Sequence, residues 1–293
     1  MRFFLLLLYI IKNPLPLFMK KAKVLFVSQE ITPYLDETFV GKISRKLPQA
    51  IQERGKEIRT FMPKYGCINE RRHQLHEVIR LSGMNLVIND IDHPLIIKVA
   101  SIPSARMQVY FIDNEEFFQR KSILTDKTSG KFFDDNDERA MFFVRGVVET
   151  VKKLGWAPDV IHCHGWFTSL MPLYIKKFYS EDPLFAETKI IVSVYEDEFP
   201  KTLSKKLADK LGFDGFSKKD LKHISDDITY VNFVKQALEF ADGVIQGSEK
   251  INPEIEKCIK KSGKPFLSFK NETEYMDACN DFYDVVLEEA VSA

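Results

Sequence analysis

Neither sign of charge is in excess in this chain. Lys+Arg and Asp+Glu both total 42 in 293 residues, so nothing in the balance points to a nucleic acid or an acidic partner. No two cysteines form a C-x-x-C pair. Cys67, Cys163, Cys258 and Cys279 are scattered, which argues against zinc-ribbon and dithiol spacings and fits reduced thiols in the cytoplasm. The apolar run at residues 3–11 is too short to cross a bilayer as a helix, which takes about 20 residues. Repeats and low-complexity linkers are missing too. What is present is 45% hydrophobic and 12% aromatic content, enough for a substantial core in one large domain or two small ones. With no break in the pattern, one domain is expected.

The N-terminal "MRFFLLLLYII" resembles a secretory signal, but the "KNPLPLFMKKAKVLF" that follows has no small-x-small cleavage site. From Met19, "MKKAKVLFVSQE" runs straight into a strand pattern. Residues 1–18 are therefore read as an upstream-start artefact or a loose apolar tail, and residues 19–293 as the domain. A membrane-associated tail through residues 3–11 is the minor alternative, and a true signal the third.

"KVLFV" at residues 23–27 is short, apolar and β-branched, as a buried parallel strand requires. Ile43, Leu47, Ala50 and Ile51 share one helix face, with Pro48 expected to kink or restart that helix and Gly55 to stop it. "EIRTFM" is the next strand, completing a right-handed crossover. "EVIRLSGMNLVIND", "HPLIIKVASIP" and "MQVYFID" read as antiparallel hairpin strands. After a long helix ending at Gly155, strands and helices alternate again, down to a terminal helix over residues 272–289. The fold class is α/β, a mostly parallel, doubly wound, Rossmann-like sheet with an antiparallel hairpin insertion.

In such a sheet ligands bind beyond the carboxyl ends of the strands. Residues 28–41, 162–167 and 194–199 therefore matter most. "HCHGW" puts His162 and His164 on one side of a strand and Cys163 on the other. A His-x-His metal site lacks a third ligand at usable spacing, so no metal or cofactor is expected. Two readings of the pair stay open: histidines bonded within the fold with Trp166 packed in the next helix, or a polar ligand site at the sheet edge. "DDNDE" at residues 134–138 is read as helix capping and solvated charge. "KTLSKKLADKLG" and the terminal helix are read as solvated helix faces.

These segments together resemble the N-terminal lobe of ADP-glucose-type glycogen synthases and starch synthases. The family pattern S-E-x-x-P-x-x-K-T-G-G-L-x-D-V-x-x-x-L-P is followed without gaps from Glu30, with Pro33, Leu47 and Pro48 in place. "FMPKYG", "YFIDNEEFF", "DNDERAMFF", "PDVIHCHGW" and "FADGVIQGS" also fit, so the likeness covers residues 23–249. The resemblance implies a single lobe of the two-lobe GT-B glycosyltransferase type. It makes His164 the surviving cleft histidine, and His162, Trp166 and Tyr195 ligand-binding candidates with it.

The departures fall on the chemistry. Asp36, Glu37, Thr38 and Phe39 stand where the family has K-T-G-G, ahead of Gly41. Cation and bare backbone are replaced by carboxylates and a ring, so residues 36–41 are read as a degenerate donor loop. In H-x-H-D-W-H the Asp has become Gly165 and the last His Phe167. The family's T-[IV]-H-N reads Ser193, Val194, Tyr195 and Glu196. The 45 residues after Ser248 are expected to be too few for a second, donor-binding lobe. The resemblance thus implies a degenerate lobe without autonomous glucosyl transfer, with no catalytic residue expected, that binds an α-glucan, a sugar or a glycogen-metabolism protein. One alternative is half of an ADP-glucose-dependent glucosyltransferase completed by a separate lobe. The other is a non-catalytic scaffold.

Overall fold

The computed structural model describes residues 21–224 and 227–288; the reading of residues 1–18 lies outside them. The first strand, β1 (Lys23–Ser28), alternates its side chains between two cores. Val24 and Phe26 enter one and Leu25 and Val27 the other. A loop leads to helix α1 (Phe39–Glu53), which buries Val40, Ile43, Leu47 and Ile51 at helical spacing. The helix continues through Pro48 without the restart that was the alternative to a kink. Pro48 is buried in the packed face, so tertiary contacts outweigh its missing N–H.

Next come β2 (Glu57–Pro63), the single turn α2 (Glu70–His73), and strands β3 (His76–Glu77), β4 (Met84–Ile88), β5 (Ile91–Ile102) and β6 (Met107–Asp113). Helix α3 (Asn136–Leu154) ends at Gly155, as its sequence requires. Strand β7 (Val160–His164), a mixed helical segment through Phe178, β8 (Lys189–Val194), α4 (Leu207–Phe213), α5 (Tyr230–Phe240) and β9 (Gly243–Gln246) follow. The chain then forms α6 (Pro253–Ser262), β10 (Phe266–Leu267) and α7 (Glu272–Glu288).

The strands order as β10-β9-β8-β7-β1-β2-β6-β5-β3, with β4 paired to β5. All neighbours from β10 to β6 are parallel. Those of β5 are antiparallel, which is the hairpin insertion. The chain builds outward from β1 through β2 to β6, then returns to the other side of β1 with β7. The switch point between β1 and β7 is where a doubly wound sheet opens its ligand crevice.

Two sequence readings are corrected here. The terminal helix α7 is not a solvated face: Tyr275, Cys279, Phe282, Tyr283 and Val286 are buried with α1 against one side of the sheet. The charged residues around α3 and α4 are not all solvated either. Asp137 is fully buried and bonds Lys210 at 2.6 Å; Glu138 joins the same ammonium at 2.7 Å. Asp134 alone of the acidic run fits the solvated reading, with an exposed partner in Lys131. Asp135 sits at the N-cap of α3 but gives no side-chain cap bond, and its carboxylate is held by Arg120.

Candidate functional site

The carboxyl ends of β1, β2 and β6 open onto a cleft of about 790 Å3. One wall is the β1–α1 loop, with Gln29, Glu30, Tyr34 and Asp36. The second is the turn after β2 with α2, contributing Cys67, Asn69, Arg72 and His73. The third is the segment from Ser122 to Lys127. A partly buried charge network anchors the second wall: Lys64, just after β2, pairs with Glu70 at 2.5 Å, and Lys98 bridges Glu70 and Asp113.

The crevice at the switch point itself is closed. The Gln29 amide N–H bonds the His164 carbonyl at 2.9 Å, and Gln29 Oε1 accepts from the Phe167 amide at 3.2 Å. Tyr65 Oη donates to the Gln29 carbonyl at 3.1 Å. Gly165 has φ +85 and ψ 153, a conformation that only glycine adopts readily, and Gln29 lies against it. The ligand-sized opening is therefore displaced toward β2 and β6.

Along the β1–α1 loop the N-terminus of α1 is already capped. Thr38 Oγ1 accepts from the Gly41 N–H at 2.9 Å and donates to Glu30 Oε1 at 2.7 Å. Glu37 pairs with Lys42 at 2.5 Å, and Asp36 lines the cleft. Phe39 is 51% exposed and covers Tyr195 edge-on at 6.3 Å between centroids. Burial raises the Glu30 carboxyl against the Thr38 hydrogen bond, and the charge of Asp197 adds to the rise. Asp197 is likewise raised by burial, opposed by the Tyr230 hydroxyl it accepts from at 2.6 Å and the Trp166 amide at 2.9 Å. Thr38→Ala removes both the cap and the donor to Glu30. It is expected to lower stability by about 1–2 kcal/mol, read from the midpoint of urea unfolding.

The histidines lie where strand alternation puts them, on one side of β7, but under α7 rather than on the cleft wall. Both are fully buried with ring centroids 3.9 Å apart. His162 bonds Tyr283 Oη and Ser193 Oγ, each at 2.7 Å, and His164 Nδ1 bonds Tyr195 Oη at 2.7 Å. Burial, and then the neighbouring His164, hold His162 well below its ordinary value; burial lowers His164 to about 3. Both rings are thus neutral near pH 7. Trp166 packs edge-on to Phe199 at 4.7 Å, and Tyr195 is 1% exposed. None of these four candidates lines the opening beside β1, β2 and β6: Tyr283 of α7 bonds His162, Tyr195 bonds His164, and Phe39 lies edge-on to Tyr195. Of residues 36–41, Asp36 borders the open space.

Sequence reasoning passed over Gln29, Asn69, Arg72, His73 and Asp197. The charged run "NERRH" directly after β2 was the available signal for the α2 wall. No group of three or more His, Cys, Asp or Glu side chains among the described residues is arranged to hold a metal ion. No helix among them is long and apolar enough to cross a membrane.

A doubly wound, mostly parallel sheet with an antiparallel extension and a polar cleft beyond its strand ends defines a lobe of the GT-B glycosyltransferase type. The chain belongs to the starch synthase catalytic domain family, whose sequence profile matches residues 23–263. A glycogen synthase of Chlorobium limicola is 40% identical over 176 residues, covering 60% of this chain and 36% of that protein. A glycogen synthase of Chlorobaculum parvum is 34% identical over 272 residues, covering 92% and 53%. The chain thus spans about half, or less, of the length of these curated relatives. Its fold is similar to the catalytic domain of Arabidopsis thaliana starch synthase IV, solved with ADP and acarbose. The TM-score is 0.68 at 19% identity, covering 86% of this chain and 52% of that one.

Proposed function

We propose that this glycogen synthase-like lobe binds α-glucan chains in the cleft beside β1, β2 and β6 and does not transfer glucose by itself. The observation that carries the reading is the β1–α1 loop. Where the family resemblance expects a lysine and bare glycine backbone, Asp36 borders the cleft and Thr38 with Glu30 occupies the helix N-terminus. A carboxylate about 5 Å from a phosphate charge opposes it by about 3 kcal/mol at an effective dielectric of 20. A neutral sugar meets no such repulsion. The cleft walls offer it amide, carboxylate, hydroxyl and guanidinium partners beside the Tyr34 ring.

Calorimetry with maltooligosaccharides and with ADP-glucose tests this directly. Saturable heat with the oligosaccharides and no displacement of them by ADP-glucose is expected, together with retardation in a glycogen-containing native gel. Micromolar ADP-glucose binding that displaces the oligosaccharides would overturn the reading and favour a glucosyltransferase half completed by a separate donor-binding lobe.

A further inference from the structure

A second cavity adjoins the cleft. It encloses about 480 Å3 between the β1–α1 loop, α1, α2 and the turn from β5 toward β6, and shares Pro33, Tyr34, Arg72 and His73 with the cleft wall. Its lining holds two guanidiniums and an imidazole and not one carboxylate. Arg45 reaches in from α1 and donates to Ser104 Oγ at 2.9 Å. Neither Arg45 nor Arg72 forms an ion pair with a carboxylate among the described residues.

The floor carries the second observation. Tyr34 is 5% exposed, and its hydroxyl has no hydrogen-bond partner. Thr32 Oγ1, on the same wall, is also unpartnered. A buried phenol left unbonded is costly, and this one belongs to a residue in the cavity wall, where a bound group could accept from it. His73 stands edge-on to the Tyr34 ring, with centroids 5.0 Å apart. Arg45, Arg72 and His73 line the same cavity as Tyr34.

We infer that this cavity is a binding site for a phosphate group, held by Arg45 and Arg72 with Tyr34 Oη as a neutral donor. Guanidiniums recognise phosphate oxygens through paired N–H bonds, and the hydroxyl completes the set without adding charge. The space exceeds what a phosphate alone fills and falls within the range of about 300–1,000 Å3 usual for small ligands. A sugar phosphate therefore fits, with its sugar directed to the shared wall of the cleft.

Titration calorimetry at low salt, with inorganic phosphate and separately with glucose 1-phosphate, tests the site on the full chain. Both are expected to bind, the sugar phosphate more tightly. Arg45→Gln and Arg72→Gln are each expected to weaken binding roughly tenfold, and Tyr34→Phe several-fold. Arg45 lies outside the cleft lining, so Arg45→Gln should leave maltooligosaccharide affinity unchanged. That separates failure of this site from failure of the glucan reading. Tighter binding of phosphate than of the sugar phosphate would assign the site to the free anion. The inference is overturned if neither probe binds at millimolar concentration, if chloride at equal ionic strength competes fully, or if both arginine variants bind as the parent does.

Discussion

Replacing Gly66 by alanine is expected to lower the unfolding free energy by roughly 3 kcal/mol or more. Gly66 follows Tyr65 at the end of the "PKYG" stretch, where the chain passes against the segment after β6. A Cβ built there lies 2.2 Å from the Gln119 carbonyl oxygen, 2.5 Å from its carbon and 2.6 Å from the Arg120 oxygen. All three are backbone atoms, so no side-chain rotation relieves the contact. The chain must move instead, and the moving part leads into Ser122–Lys127, the third wall of the cleft. Loss of stability should therefore come with loss of oligosaccharide affinity. Gly212→Ala supplies the control: it sits in α4 with nothing within 4 Å of the added carbon, where alanine should be neutral or stabilising. Equal urea midpoints for the Gly66 variant and the parent would show that the close approach does not exist.

Acid should weaken the fold through the paired histidines. The sign follows from linkage. Both rings are held below their ordinary value of 6.5 in the folded chain, so below that pH the unfolded state binds protons that the folded state refuses. Their contribution is complete above pH 6.5 and declines as pH falls. Near pH 5 it is smaller by about 2 kcal/mol for His164, and His162 adds to the loss in the same direction. The buried carboxyls of Glu30, Asp137 and Asp197, which are raised, act in the opposite direction. They are common to parent and variant, so comparison with His164→Gln isolates the ring. The variant starts less stable, having lost the Tyr195 hydrogen bond, but should lose about 1.4 kcal/mol less per pH unit between pH 6 and 4. Parallel stability curves would refute the assignment of a neutral buried pair.

The sheet was legible because its strands carry their own pattern. "KVLFV" is a short continuous apolar run, and within "VIHCH" the side taken by each of His162, Cys163 and His164 follows from period two alone. What lies on top of a strand is a different matter. His162 meets Tyr283, 121 positions away, and nothing local to either residue announces that contact. The same holds for Lys210 and Asp137, which look like surface charges until α3 and α4 are packed together. The restart allowed for at Pro48 does not occur, for a related reason: propensity weighs the lost N–H, while the packed face of α1 decides the outcome. The β1–α1 loop was readable in composition, since carboxylates in place of a cation need no coordinates to be noticed. The closure by Gln29 was not, because it depends on a backbone turn at Gly165 that spacing does not reveal.

That closure has an evolutionary corollary. Aspartate at position 165, the residue of the family pattern, would add a Cβ 2.9 Å from that of Gln29 on a backbone with φ +85. Gly165→Asp introduced alone should therefore be deleterious on this background. An aspartate at 165 requires a concerted change at position 29, a sign-epistatic barrier written into a single turn.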